Sequence, residues 1–255
     1  MTPILEDISI GVGILVLLTF AQEAGFRLGR RAFEEADPRA AGQVGAIQGA
    51  ILGLLGLLLA FSFAAAGSRF LEKQDLIVTE ANAIGTATLR ADLIDEPQRS
   101  ALRAALKEYT EYRVRLSAYL RSGLPAGASD EIDRQHARIW NAAVSGVATR
   151  PAAVLAVVDP VNEVIDLHST RLAAGKKHLP MVVLVLLIAC SLLAIGVIGY
   201  GSGMGGRRRV PLTLSLTLLV GAALWITIDL DHPRAGLLQL NDAPLKDLKF
   251  GPPPR

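Results

Sequence analysis

The chain has 255 residues, 51% of them hydrophobic but only 5% aromatic, and its mean hydropathy is +0.39. A formal net charge of +2 leaves no footprint for nucleic acid or a strongly acidic partner. The single cysteine, Cys190, excludes an intramolecular disulfide and any Cys-x-x-Cys metal site. Inside an apolar run it reads as a small packing residue.

The first apolar segment covers residues 8–26. Its uncharged stretch "ISIGVGILVLLTFA" is short, and Gln22 and Glu23 follow. The acidic start "MTPILED" lacks the basic region of a signal peptide, and no A-x-A site follows. The segment is therefore expected to span a membrane, with Glu23 at the interface or facing the helix bundle.

The second segment, residues 44–67, exceeds the ~20 apolar residues a span needs. No proline occurs from residue 44 to residue 95, so an unbroken helix of about 75 Å is expected. Gly45, Gly49, Gly53, Leu57, Phe61 and Ala65 share one i, i+4 row. Two readings fit it. Small residues let helix backbones approach closely. Alternatively, several copies around an axis would form an apolar constriction of Leu57 and Phe61, which can gate ions by dewetting.

A polar insert, 68–179, follows and reads as three or four amphipathic helices. Asp95, with Pro97 after it, is expected to cap a helix carrying Leu102, Leu106, Tyr109, Leu116 and Leu120 on one stripe. Ser129 is expected to cap the next, with Asp130 and Glu131 in its first turn. Asp159 and Pro160 are expected to start a third. "SGLPAGAS" at 122–129 reads as a loop. "EANAIGTATLR" at 80–90 places small residues among polar ones, which suits close packing, with Glu80 paired to Arg69 or Arg90.

Residues 180–230 form a second hairpin of two spans, 180–200 and 210–228, and a polar tail covers 231–255. "GSGMGG" at 201–206 matches a dinucleotide fingerprint literally but has no βαβ context. It reads as an interfacial turn with arginine anchors at 207–209. Asp229, Asp231 and His232 crowd one short stretch, which suits tetrahedral metal geometry poorly, and no metal is expected; they read as helix-terminal caps. No zinc-protease helix, nucleophile elbow or phosphate loop is present. Neither enzymatic activity nor a cofactor is expected.

Several stretches resemble a known family. "AFSFAAAGSRFLEKQ" and "SRFLE" at 68–72 are similar to the second membrane helix of bestrophins. "LLAFSF", "EANAIGTATLR" and "DLDHPRAGLLQLNDAPLKDL" look like the bacterial bestrophin-like family, a domain of unknown function, and cover nearly the whole chain. The resemblance implies an all-α protein with four membrane helices in two hairpins around a helical soluble insert. It also implies a homo-oligomer, a pentamer, that passes inorganic ions through a pore lined by the second helix. The family's apolar neck falls on Gly53, Leu57 and Phe61, so bulk is missing at one end. Ser62, Arg69, Phe70 and Glu72 would lie beyond the neck. Glu80, Asn82, Gly85 and Arg90 belong to the family motif in a structural role. The family's Arg-Asn pair after the neck is replaced by Ser62 and Phe63.

The expected partners are the lipid bilayer, further copies of the chain and ions, with no nucleic acid. A cell (inner) membrane location is expected. Seven Lys or Arg lie near helix ends on each side. Weighting the short loops puts the insert outside, whereas the resemblance puts it in the cytosol, which is the side expected here. The competing functional reading is a membrane-anchored helical interaction or sensor module without a pore.

Overall fold

The computed structural model describes residues 3–32, 38–119, 125–206, 208, 210–232 and 237–251. Among them all regular structure is helical. In chain order the helices are α1 (Pro3–Ala32), α2 (Pro38–Arg90), α3 (Gln98–Tyr119), α4 (Ala128–Ala148), α5 (Val154–Gly175), α6 (Met181–Met204), α7 (Val210–Asp231) and α8 (Ala243–Lys246). Short 3-10 turns, Ala91–Leu93 and Pro151–Ala153, precede α3 and α5. The chain divides into two compact units, Met1–Phe70 with His178–Leu238, and Leu71–Lys177 with Gln239–Arg255.

The first unit holds four helical stretches long and apolar enough to cross a membrane. They are α1, the uncharged part of α2, α6 and α7. Outward-facing Val16, Phe20, Val182, Leu212 and Leu219 are exposed, as lipid contact requires. Buried Leu18, Leu55, Leu187, Ile195 and Leu224 form the interior. Helices α1 and α6 approach at backbone distance. A Cβ added to Gly25 or Gly29 would strike the backbone of Gly196 or Tyr200, and one on Gly199 or Gly203 would strike that of Gln22 or Phe26. Burial of apolar surface gives no drive inside lipid, so such close packing holds membrane helices together. Polar groups at this depth find partners, as lipid demands. Gln48 Nε2 donates to the Val197 carbonyl at 2.8 Å, and Thr217 Oγ1 donates to Gln22 Oε1 at 2.7 Å. Glu23 pairs with Arg27 and Arg208.

The second unit is a water-type core. Ile77, Ile84 and Ala87 of α2, Leu102, Leu106 and Tyr109 of α3, Ile139 and Ala143 of α4, Val161 and Val164 of α5, and Leu245 of α8 form one buried cluster. Helix α4 buries Ile132, Gln135, Ile139, Ala143 and Val147, the 3–4 spacing of a single apolar face.

Four local expectations are corrected. Asp95 gives α3 only its carbonyl, to the Arg99 N–H. Its carboxylate instead forms a two-bond pair with Arg150, and Glu96 accepts the Ser100 N–H. Ser129 is not a cap: α4 starts one residue earlier, after Gly127 at φ 79°, a turn that favours glycine. Pro160 lies inside α5 rather than at its start, because Pro151 occupies the preceding turn. A proline there leaves the carbonyl four residues back without its helical donor; Arg90 Nη1 supplies one to Ala156 O at 3.0 Å. Finally, "GSGM" at 201–204 continues α6, and only Gly205 and Gly206 turn, since Gly203 is needed for the α1 contact. Leu120, residues 121–124, Arg207 and Arg209 lie outside the described residues.

Candidate functional site

The stripe on α2 is where the site begins. Gly45, Gly49, Gly53, Leu57 and Phe61 are all exposed within the chain, Leu57 by 54% and Phe61 by 68%. Among the described residues, no atom outside the helix comes within 4 Å of a Cβ added to any of the three glycines. The small-residue row therefore does not serve packing inside one chain; that role falls to the α1 and α6 glycines, which the sequence reading missed. The opposite side of α2 is the attached one, through buried Leu55, Ser62 and Ala66. Ser62 is thus off the exposed stripe. Phe70 packs against the Ala66, Leu179 and Leu230 cluster. Glu72 pairs with Lys177 at 2.8 Å.

Arg69 goes to a buried carboxylate in the same unit. Its Nη1 lies 3.5 Å from Asp231 Oδ1. Asp231 is completely buried, and both its oxygens accept the Leu179 N–H at 2.9 Å. This ties the entry to α6 to the end of α7. Asp229 works similarly, accepting the Leu237 and Leu238 amides at 2.9 Å each. These aspartates were expected to cap the helix end; the hydrogen bonds correct this, because both carboxylates accept amide N–H groups outside α7.

Glu80 is the centre of the second unit's polar chemistry, with partners other than those expected. It is fully buried. Its Oε1 accepts the Tyr109 hydroxyl at 2.7 Å and Arg113 Nε at 3.1 Å, and its Oε2 accepts from Arg171. Arg69 and Arg90, the expected partners, serve Asp231 and the Ala156 carbonyl instead. Arg113 was legible: it interrupts the apolar stripe of α3 between Tyr109 and Leu116. Arg171 carried no comparable signal. Asn82 is exposed, and a Cβ at Gly85 would meet Leu248 at an ordinary 3.6 Å.

Two histidines lie beside this network. The His136 ring stands 5.3 Å from Tyr109 and 5.2 Å from His168, edge-on to the latter. Burial, then the charges of Arg113 and His136, lower the His168 pKa from 6.5 to about 4. Burial also lowers that of His136. Both rings are neutral at pH 7. Among the described residues, His136 Nε2 and His168 Nδ1 are buried without a hydrogen-bond partner, so neither atom activates a hydroxyl or thiol as nucleophilic chemistry requires.

A crystal structure of a bacterial bestrophin homolog from Klebsiella pneumoniae, carrying one tryptophan-to-alanine mutation, superposes with a TM-score of 0.65. Identity is 14%, with 94% of this chain and 93% of that one covered, so the likeness is one of fold. None of the curated proteins compared matches the chain. The family model described as the bestrophin-like domain matches residues 12–245. With nearly the whole chain inside that match and four membrane-length helices around a helical insert, this membrane protein belongs to the bestrophin-like family.

Proposed function

We propose that the protein is a homo-oligomeric ion channel of the cell (inner) membrane, in which α2 lines the pore and Gly53, Leu57 and Phe61 form its neck. One observation carries this reading: the stripe from Gly45 to Phe61 is exposed and unpacked within the chain, while the other side of the same helix is buried. A helix attached by one side presents the other to whatever surrounds it. Rotational packing of several copies would bring the Phe61 rings around an axis, and apolar rings of this kind control water and hence ions. Three glycines on the stripe before Leu57 would leave a wider vestibule on that side. By the family resemblance the ring is a pentamer and the insert is cytosolic.

The stripe itself carries no polar side chain, and Ser62, the nearest hydroxyl, is turned inward. This favours the second reading, a poreless membrane-anchored module whose α2 stripe faces lipid or a partner. Native mass in mild detergent, followed by conductance of the purified protein in planar bilayers, separates the two. A pentamer with ion flux that rises in Phe61→Ala supports the neck. A monomer or dimer without flux leaves the stripe no axis to surround and refutes the channel.

A further inference from the structure

His178, Asp231 and His232 meet at the ends of the second hairpin. His178 lies just before α6, and the other two close α7. Sequence spacing argued against a metal because Asp229, Asp231 and His232 crowd one stretch. The fold changes the set: Asp229 is committed to two backbone amides, and His178 arrives from the far end of the hairpin. One donor atom from each of the three residues lies within 4.8 Å of the others.

The donor atoms are gathered, though not yet converged. The imidazole rings stack, with centroids 4.6 Å apart and planes 14° apart, so their in-plane lone pairs run side by side and one exposed ring must rotate for both to meet one ion. Both turn Nδ1 toward the same oxygen, Asp231 Oδ2, at 3.4 Å for His178 and 3.9 Å for His232. Such separations are too long for good hydrogen bonds. The His178 separation matches the donor–donor edge, about 3.4 Å, of a tetrahedron whose bonds are about 2.1 Å, and the longer His232 separation, 3.9 Å, closes with a small side-chain movement. The carboxylate is held in advance by the Leu179 amide on both oxygens and by Arg69 on the Oδ1 side, which leaves Oδ2 facing the rings. Both histidine side chains are between two-fifths and half exposed, against none for Asp231. An ion can therefore enter from solvent, and water can take the fourth position.

We propose that His178, Asp231 and His232 bind a divalent transition metal of the zinc class, joining the start of α6 to the end of α7. Two imidazole nitrogens beside one carboxylate select this class over calcium or magnesium, which take oxygen donors. Binding displaces the Nδ1 contacts with the Asp231 and Ile228 carbonyls, now 3.1 and 3.2 Å. Because Arg69 opposes the added charge, affinity is expected to be lower than at a four-ligand structural site. The proposal does not depend on the channel reading.

The test uses the full chain in detergent, without a histidine tag and stripped with chelator. Zn²⁺ alone is titrated by calorimetry, and Co²⁺ serves as a visible-absorption probe. One Zn²⁺ per chain and a Co²⁺ band typical of four-coordination are expected. His178→Ala and His232→Ala should each weaken binding by more than about tenfold, since loss of a ligand exceeds loss of an outer-shell partner. Both rings are substantially exposed, so these variants keep the fold, whereas Asp231→Asn would also disturb the Leu179 amide. Absence of Zn²⁺ binding, or equal affinity in the His178→Ala, His232→Ala double variant, overturns the site.

Discussion

Glu80→Gln tests the reading of the buried network. The carboxylate is fully buried and stands between two guanidinium groups, those of Arg113 and Arg171, whose side chains are each 9% exposed. Replacing it with an amide removes the only negative charge of the trio and turns an N–H₂ donor toward groups that are themselves donors. Removing one partner of a buried ion pair costs about 3–5 kcal/mol, because the remaining charge is left without compensation. The Tyr109 hydroxyl bond, at 2.7 Å, is weakened at the same time. Urea unfolding of the full chain in detergent is the assay. If the cost comes from orphaned charge, the triple variant Glu80→Leu, Arg113→Met, Arg171→Leu should be less destabilised than Glu80→Gln alone. A Glu80→Gln change within about 0.5 kcal/mol, the range of an ordinary surface substitution, would refute the account.

Acid should weaken the second unit through His168. Unfolded, this ring titrates near 6.5; folded, near 4. The unfolded state takes up the proton first as pH falls, so stability present above about 6.5 is lost between 6.5 and 4. The full shift corresponds to roughly 3 kcal/mol. His168→Leu should flatten that limb of the pH–stability profile, and an unchanged slope would exclude His168 as its source. Gly199→Ala should destabilise the first unit by about 1–3 kcal/mol, the usual cost of overpacking, because its methyl would strike the Gln22 backbone. Gly53→Ala has open space and should leave monomer stability unchanged; thermal melts of the two variants distinguish these sites. Arg90→Ala should cost about 1 kcal/mol through the Ala156 carbonyl. That cost should shrink in the presence of Pro160→Ala, which restores the helical donor, and a double-mutant cycle reads the coupling.

The four membrane-length spans were written in the chain itself. Long uncharged runs leave the backbone no choice but helix in lipid, and the boundaries of α6 and α7 follow from where charge resumes. The absence of proline from residue 44 to residue 95 likewise foretold that α2 runs unbroken through that stretch to Arg90. The insert's helices were legible from the spacing of Leu102, Leu106 and Tyr109, all of which are buried. Their starts were not, because glycine at positive φ and a proline tolerated within a helix depend on which outside group satisfies the backbone. Tertiary structure alone decided the pairings. Glycines at i, i+4 look alike along the chain, yet those of α1 and α6 seal two backbones together while Gly45, Gly49 and Gly53 of α2 meet nothing among the described residues. Glu80 chose Arg113 and Arg171, and Asp231 collected Arg69, Leu179 and two imidazoles. A charge declares that it needs a partner, and local sequence can place it on a helix face. Which partner arrives is settled by the packing of elements far apart in the chain.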